Sequence, residues 1–153
     1  MKKTVITYGT FDMFHIGHLR LLQRLSTYGD EVIVAVSTDE FNALKNKTVL
    51  IPYDQRAEIV KNIKGVDRVI PESSWEQKKN DIIENEVDIF IMGDDWSGKF
   101  DFLSQYCEVI YVERTKDIST TQLKKSLTKF LSIPKEDILN AFNIIETLKR
   151  DLE

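Results

Sequence analysis

Both histidines of the chain stand within four residues of each other, as His15-Ile16-Gly17-His18. They close the segment Tyr8-Gly9-Thr10-Phe11-Asp12-Met13-Phe14, which follows a short β-branched run and precedes a helix-like one. A strand-to-helix junction is where open α/β sheets bind ligands. A helix N-terminus presents free N–H groups and partial positive charge, which suits an anion. Gly17 carries no Cβ where a phosphate would approach the backbone. His15 and His18 are three residues apart, so one helical turn can point both rings to one side. Two imidazoles there can donate hydrogen bonds to phosphoryl oxygens, and a bound triphosphate would favour their protonated form. The competing readings are two ordinary, partly exposed histidines, or a zinc site. Zinc needs three or four N, S or O ligands, and no third histidine or paired cysteine supplies them. A Walker A loop and a Gly-x-Gly-x-x-Gly fingerprint are both absent, which argues against a P-loop NTPase and a dinucleotide binder.

Other residues offer compatible chemistry. Arg114 can grip phosphate bidentately. Ser119, Thr120 and Thr121 supply hydroxyls and N–H groups at a second helix start, where capping and anion binding are compatible. Asp94 and Asp95 follow a strand-like run beside Trp96; they read either as a solvated turn or as groups that orient a nucleotide or help hold Mg²⁺. Lys45 and Lys47, in Leu44-Lys45-Asn46-Lys47, read by themselves equally well as a solvated loop. Trp75 lines a pocket or merely starts a helix.

The elements that must position these groups alternate. Val5–Tyr8, Val32–Val36, Val69-Ile70, Ile89–Met92 and Val109–Val112 read as strands, the second being apolar throughout, as expected of a strand covered on both faces. Helical patterns fall at His18–Thr27, Tyr53–Lys64, Glu76–Asn85 and, more briefly, Phe100–Gln105. The alternation predicts an α/β fold: a Rossmann-like, open, mostly parallel five-stranded sheet with helices on both faces. Ser119 or Thr120 can cap a helix to about Leu131, and Ser132 can cap another after it. In that last segment Ile138, Phe142, Ile145, Leu148 and Leu152 recur at helical spacing and need a surface to pack on. The expected organisation is a catalytic unit over residues 1–131 and a C-terminal helix over 132–153, packed on its own domain or on a dimer partner.

Composition sets bounds. The chain has 153 residues, 42% hydrophobic and 30% charged, with a formal charge of -4. That suits one globular domain. Mild acidity disfavours a nucleic-acid binder, which needs basic surface. The single cysteine, Cys107, makes neither an intrachain disulfide nor a two-cysteine metal motif. No N-terminal apolar leader and no apolar run near the roughly 20 residues of a membrane span is evident. The expectation is a cytoplasmic protein without membrane insertion.

Gly9-Thr10-Phe11-Asp12 followed by His15-Ile16-Gly17-His18 resembles the signature of the cytidylyltransferase family, within the HxGH nucleotidyltransferase superfamily. Arg114-Thr115-Lys116-Asp117-Ile118-Ser119-Thr120-Thr121 resembles its second signature, Arg-Thr-x-x-Ile-Ser-Thr-Thr. Ser37–Asn42, Trp75–Lys79 and Met92–Trp96 are similar to the branch of that family acting on glycerol 3-phosphate. The likeness covers about residues 2–130.

That resemblance implies an enzyme joining CTP to glycerol 3-phosphate, giving CDP-glycerol and pyrophosphate by direct in-line attack on the α-phosphate, with Mg²⁺ accompanying CTP. CDP-glycerol serves teichoic acids and related glycerol-phosphate polymers. It assigns His15, His18, Lys47 and Arg114 to catalysis. It assigns Thr10, Phe11, Ile16, Gly17, Asp95, Thr115, Ile118, Ser119, Thr120 and Thr121, with those four, to the nucleotide. Lys45, Lys78, Asp12 and Asp39 fall on the acceptor side, and Asp95 is the candidate metal ligand. The family suggests a homodimer. A sibling enzyme using ATP or another phosphorylated alcohol, and a non-catalytic nucleotide-binding module, are the alternatives. Two departures stand out: Lys116-Asp117 replaces the usual Glu-Gly, and Lys64 replaces an arginine, keeping charge but losing the bidentate fork.

Overall fold

A computed structural model describes residues 1–152. Five parallel strands, β1 (Thr4–Gly9), β2 (Glu31–Ser37), β3 (Arg68–Glu72), β4 (Ile89–Gly93) and β5 (Glu108–Val112), lie in the order β3-β2-β1-β4-β5. Consecutive strands from β1 to β3 build the sheet in one direction, and β4 then returns to the other side of β1. The strand order therefore reverses between β1 and β4, and a crevice opens there at the carboxyl edge.

The sheet is buried on both faces, so its central strands are apolar without alternation. Along β2, Val32, Val34 and Val36 face one layer, and Ile33 and Ala35 the other. Leu22 and Leu25 of α1 (Ile16–Leu25) and Val60 of α3 (Tyr53–Lys61) fill the first layer. Ile82 of α4 (Gln77–Glu84) fills the second, with Phe100 and Leu103 at the 3-10 segment Asp101–Gln105. Pro71 in β3 costs no central ladder bond, because β3 is an edge strand.

Local chemistry moves several boundaries from those the sequence suggests. Helix α1 starts at Ile16, two residues early, because the His15 side chain caps it. A short helix that periodicity does not reveal, α2 (Asp39–Leu44), follows β2; the Thr38 hydroxyl accepts from Phe41 N at 3.2 Å. Six residues are too few to show a helical period.

The chain separates into two compact units, Met1–Ile118 and Ser119 onward. The second holds α5 (Thr120–Leu131) and α6 (Lys135–Leu152), with position 131/132 between the two helices. Ser119 caps α5, its hydroxyl accepting from Gln122 N at 3.1 Å. Ser132 does not cap α6. It ends α5, with its hydroxyl donating back to Lys129 O at 2.8 Å. The first turn of α6 begins instead on the carbonyl of Pro134, which accepts from Ile138 N at 3.3 Å; proline leads into a helix without wasting an N–H. Ile138, Phe142, Ile145, Leu148 and Leu152 are all exposed. Among the described residues no helix is long and apolar enough to cross a membrane.

Candidate active site

The loop after β1 is held open by strain and packing. Phe11 and Met13 both take left-handed backbone conformations, with φ of 54° and 50°. Two such residues so close together need external support. Phe11 is buried, its ring lying edge-on to His18 with centroids 5.4 Å apart. Gly9 makes room for that ring, since a Cβ there would sit 2.8 Å from it. Asp12 is also buried and accepts from the amides of Leu50 and Ile51, each at 2.9 Å. It thus ties the histidine loop to the segment that follows Lys47.

The histidines are fixed by a reciprocal cap. His15 Nδ1 accepts from Gly17 N at 3.0 Å, and His18 Nδ1 accepts from His15 N at 3.2 Å. Each Nδ1 is an acceptor, so each ring carries its proton on Nε2. The rings stack with centroids 3.8 Å apart and 20° between planes. A Cβ on Gly17 would lie 2.9 Å from His15 Cε1. The glycine therefore admits an imidazole, whatever else approaches.

The surroundings keep both rings neutral. Burial chiefly, and the Arg114 charge second, lower the pKa of His15. Burial, then the neighbouring His15 and Arg114, pull His18 down to about 4, with Asp12 working the other way. The pair thus stands as two neutral N–H donors, and an arriving polyphosphate would raise both pKa values.

Arg114 follows β5 and extends toward Asp95, which follows β4; its Nη1 lies 3.3 Å from Asp95 Oδ2. Both side chains are about half exposed, so the pair is open to exchange for a ligand. Gly93 allows this approach, because a Cβ there would meet Asp95 Oδ1 at 2.7 Å. Ile118 reaches the first motif directly: its Cγ2 would lie 3.3 Å from a Cβ on Gly17. Thr115 is half-buried in the same connection. Asp117 has φ of 63°, so it adopts the left-handed turn that a glycine would otherwise serve. Ser119, Thr120 and Thr121 open α5 in the second unit.

A second cluster lies at the carboxyl ends of β1, β2 and β3. Thr10 Oγ1 donates to Asn42 Oδ1 at 2.9 Å, and Asn42 Nδ2 donates to Ser37 O and Thr38 O. Arg56 is 1% exposed and donates to Ile51 O, Thr10 O and Ser37 O, and to Asp39 at 2.7 Å. Asp39 is thereby occupied, accepting also from Tyr53 N at 3.0 Å. Lys45 Nζ bonds Ser37 Oγ at 3.1 Å. Lys78 Nζ pairs with Glu72 Oε1 at 3.2 Å, with both side chains buried. Burial draws Lys45 down to about 8, with the Glu72 charge opposing. Burial likewise lowers Lys78, again against Glu72. Lys47 follows the left-handed Asn46 and is exposed. Ile16 is exposed at the first turn of α1.

Within the first unit the fold brings together His15, His18, Arg114, Ile118 and Asp95 on one side. Thr10, Asp12, Asp39, Lys45 and Lys78 lie on the other. Sequence reasoning missed Arg56, Asn42 and Glu72. Arg56 reads as a surface position on a helix, and its carbonyl partners leave no mark in a sequence. Glu72 at least had a signal: a carboxylate ending a strand beside two lysine-bearing segments.

Residues 6–132 match the cytidylyltransferase-like family. The chain is 55% identical over 125 residues to glycerol-3-phosphate cytidylyltransferase of Bacillus subtilis (strain 168), covering 82% of this chain and 97% of that protein. The enzyme of the same name from Staphylococcus aureus (strain NCTC 8325 / PS 47) is 53% identical, with 82% and 95% covered. Among solved structures, the lipopolysaccharide core biosynthesis protein of Thermoplasma volcanium GSS1 superposes with a TM-score of 0.68 at 24% identity, over 76% of this chain and all of that one. A protein of unknown function from Archaeoglobus fulgidus gives 0.62 at 19% identity, over 78% and 94%. Those two support the fold alone, whereas the family match runs from within β1 through α5. The chain belongs to the cytidylyltransferase-like family.

Proposed function

We infer that the protein transfers the cytidylyl group of CTP to glycerol 3-phosphate, giving CDP-glycerol and pyrophosphate. The observation that carries the reading is the stacked imidazole pair, with both Nε2–H groups available at a helix N-terminus and Arg114 near by. The nucleotide identity follows the relatives, whose name is glycerol-3-phosphate cytidylyltransferase.

A phosphate oxygen of glycerol 3-phosphate attacks the α-phosphorus of CTP. The bond between that phosphorus and the oxygen bridging to the β-phosphate breaks in line, and pyrophosphate leaves with the electron pair. The acceptor is already ionised, so no strong base is needed. Rate enhancement then comes from alignment and from stabilising charge on phosphoryl oxygens. His15 and His18 donate from Nε2 to those oxygens. Arg114 leaves Asp95 to grip phosphate, and Lys47 holds the triphosphate from the opposite loop. Thr10, Phe11, Ile16, Gly17, Thr115 and Ile118 shape the nucleotide side. Lys45 neutralises the acceptor phosphate, and Lys78, paired with Glu72, lines the acceptor side. Asp12 and Asp39 act through Leu50, Ile51 and Arg56.

Among the described residues no group of three or more His, Cys, Asp or Glu is arranged to hold a metal ion. Asp95 offers one carboxylate. That donor set fits Mg²⁺ held largely by triphosphate oxygens, with Asp95 as a single protein ligand. Bound so, Mg²⁺ would neutralise charge on the phosphates. Assembly as a homodimer, a cytoplasmic site of action and a product consumed in teichoic-acid-type polymer synthesis complete the proposal.

Pyrophosphate release, measured with each of four nucleotides and several phosphorylated alcohols, tests it. Turnover is expected with CTP and glycerol 3-phosphate. Use of ATP with CTP inert overturns it, and so does tight CTP binding without any pyrophosphate release.

A further inference from the structure

Lys78 is only 1% exposed, and its ammonium is boxed in by aromatic rings. Its Nζ lies 4.5 Å from the ring centroid of Tyr8, 4.8 Å from that of Trp75 and 5.6 Å from that of Phe100. Glu72, itself 3% exposed, supplies a carboxylate at 3.2 Å. Aromatic faces around a cation are how proteins recognise alkylammonium ligands. Here the protein has placed its own side chain in such a box. The box adjoins the acceptor side: Lys45 Nζ is 5.4 Å from the same Trp75 ring. Ser37 links the two, receiving from Lys45 at 3.1 Å and donating to Glu72 Oε2 at 3.2 Å. Trp75 is 42% exposed, so this shared wall is reachable from solvent.

We propose that Lys78, locked in place by Glu72, sets acceptor specificity by filling an aromatic cation box, so that phosphorylated alcohols with a neutral head are accepted and those with an ammonium head are refused. This rests on the acceptor reading above. An ammonium head arriving beside Trp75 finds the aromatic faces already taken and two lysine charges opposing it. A hydroxyl head meets neither penalty. The device is repulsive, as specificity often requires. Removing the Lys78 side chain reverses the sign of the box, because Glu72 and three rings then face an empty volume.

The experiment compares kcat/KM for glycerol 3-phosphate and phosphocholine in the wild type, Lys78→Ala, Lys78→Arg and Glu72→Gln/Lys78→Ala proteins. In Lys78→Ala the ratio of phosphocholine to glycerol 3-phosphate should rise at least about 30-fold, the scale of a desolvated cation–π contact. Lys78→Arg retains a cation and should keep the wild-type ratio. Should Lys78→Ala not fold, the double variant removes the unpaired carboxylate with the lysine and should still raise the ratio about 10-fold through the rings alone. Tetramethylammonium binding, read by tryptophan fluorescence, should appear in Lys78→Ala and not in the wild type, whatever the substrates are. A folded Lys78→Ala that loses both acceptors in equal proportion, with no tetramethylammonium binding, overturns the proposal. So does a wild type that uses phosphocholine as well as glycerol 3-phosphate. A wild type inert toward glycerol 3-phosphate would instead count against the proposed reaction, with the tetramethylammonium measurement still deciding the box.

Discussion

His15 and His18 stack at 3.8 Å with each Nδ1 bonded to a backbone amide of the same helical turn. The cap that starts α1 is therefore also the device that aims two Nε2–H donors. Both rings are held neutral by burial and by Arg114. In an unfolded chain each would titrate near the ordinary histidine value of about 6.5. The folded pKa of His18 is about 4, which is depressed. Its contribution to stability is thus complete above the unfolded value and falls as pH drops from there toward the folded value. Thermal stability of the ligand-free protein should decline between about pH 6.5 and 4, with up to about 1.4 kcal/mol per pH unit traceable to this group. His18→Asn should flatten that slope. An unchanged slope in the folded variant would show that His18 does not titrate as described.

Triphosphate binding acts in the opposite direction. Negative charge beside the pair raises both pKa values, so CTP binding near pH 6 should take up protons. Calorimetry in buffers of different ionisation enthalpy measures that uptake directly. Proton release, or none, would place the phosphates away from the imidazoles.

Gly17 carries a third prediction. A methyl group there would sit 2.9 Å from the His15 ring, so Gly17→Ala must rotate or displace that ring. Alanine itself favours the helix by roughly 1 kcal/mol over glycine. The variant should therefore fold with near-wild-type stability while kcat falls about 100-fold, as expected when a transition-state donor is misaligned. Full activity would mean that His15 orientation is not limiting.

Much of this arrangement was readable from local pattern, and the part that was not has a common cause. Five parallel strands followed from apolar runs alternating with helical ones, because a sheet covered on both faces leaves that trace most fully in its central strands. The two signature segments stood out as clustered histidines and as an arginine with three hydroxyl residues. What stayed hidden depends on partners distant in sequence. Arg56 bonds carbonyls of residues 10, 37 and 51, and Asn42 bonds residues 10, 37 and 38. A main-chain oxygen has no residue type, so no motif announces its donor. Helix α2 escaped for a different reason, being shorter than two turns.

Asp117 occupies a left-handed turn at φ of 63° between Arg114 and Ile118. Aspartate tolerates that region and β-branched residues do not. Asp117→Gly should leave activity within about twofold of wild type and shift stability by less than about 1 kcal/mol. Asp117→Val should cost about 1–2 kcal/mol and raise the KM for CTP, as the turn relaxes and Arg114 and Ile118 move off the histidine helix. Equal behaviour of the two variants in thermal melts and CTP titrations would show that the turn does not set the position of the second motif.

Arg56 offers the sharpest separation of framework from chemistry. Its buried guanidinium joins the loops after β1 and β2 to the residue before Pro52, and holds Asp39 as well. A lysine keeps the charge but presents one point donor where a planar fork bonds four oxygens. Each buried carbonyl left without a donor costs about 1–3 kcal/mol. Arg56→Lys should therefore lower stability by roughly 3 kcal/mol, and the loss should be visible in urea melts at pH 7. Thr10 and Ser37 lose their shared anchor in the same variant, so KM should rise for both substrates while the pH dependence assigned to His18 stays in place. A melt indistinguishable from wild type would mean that water or Asn42 satisfies those carbonyls, and that Arg56 is not what holds the two loops together.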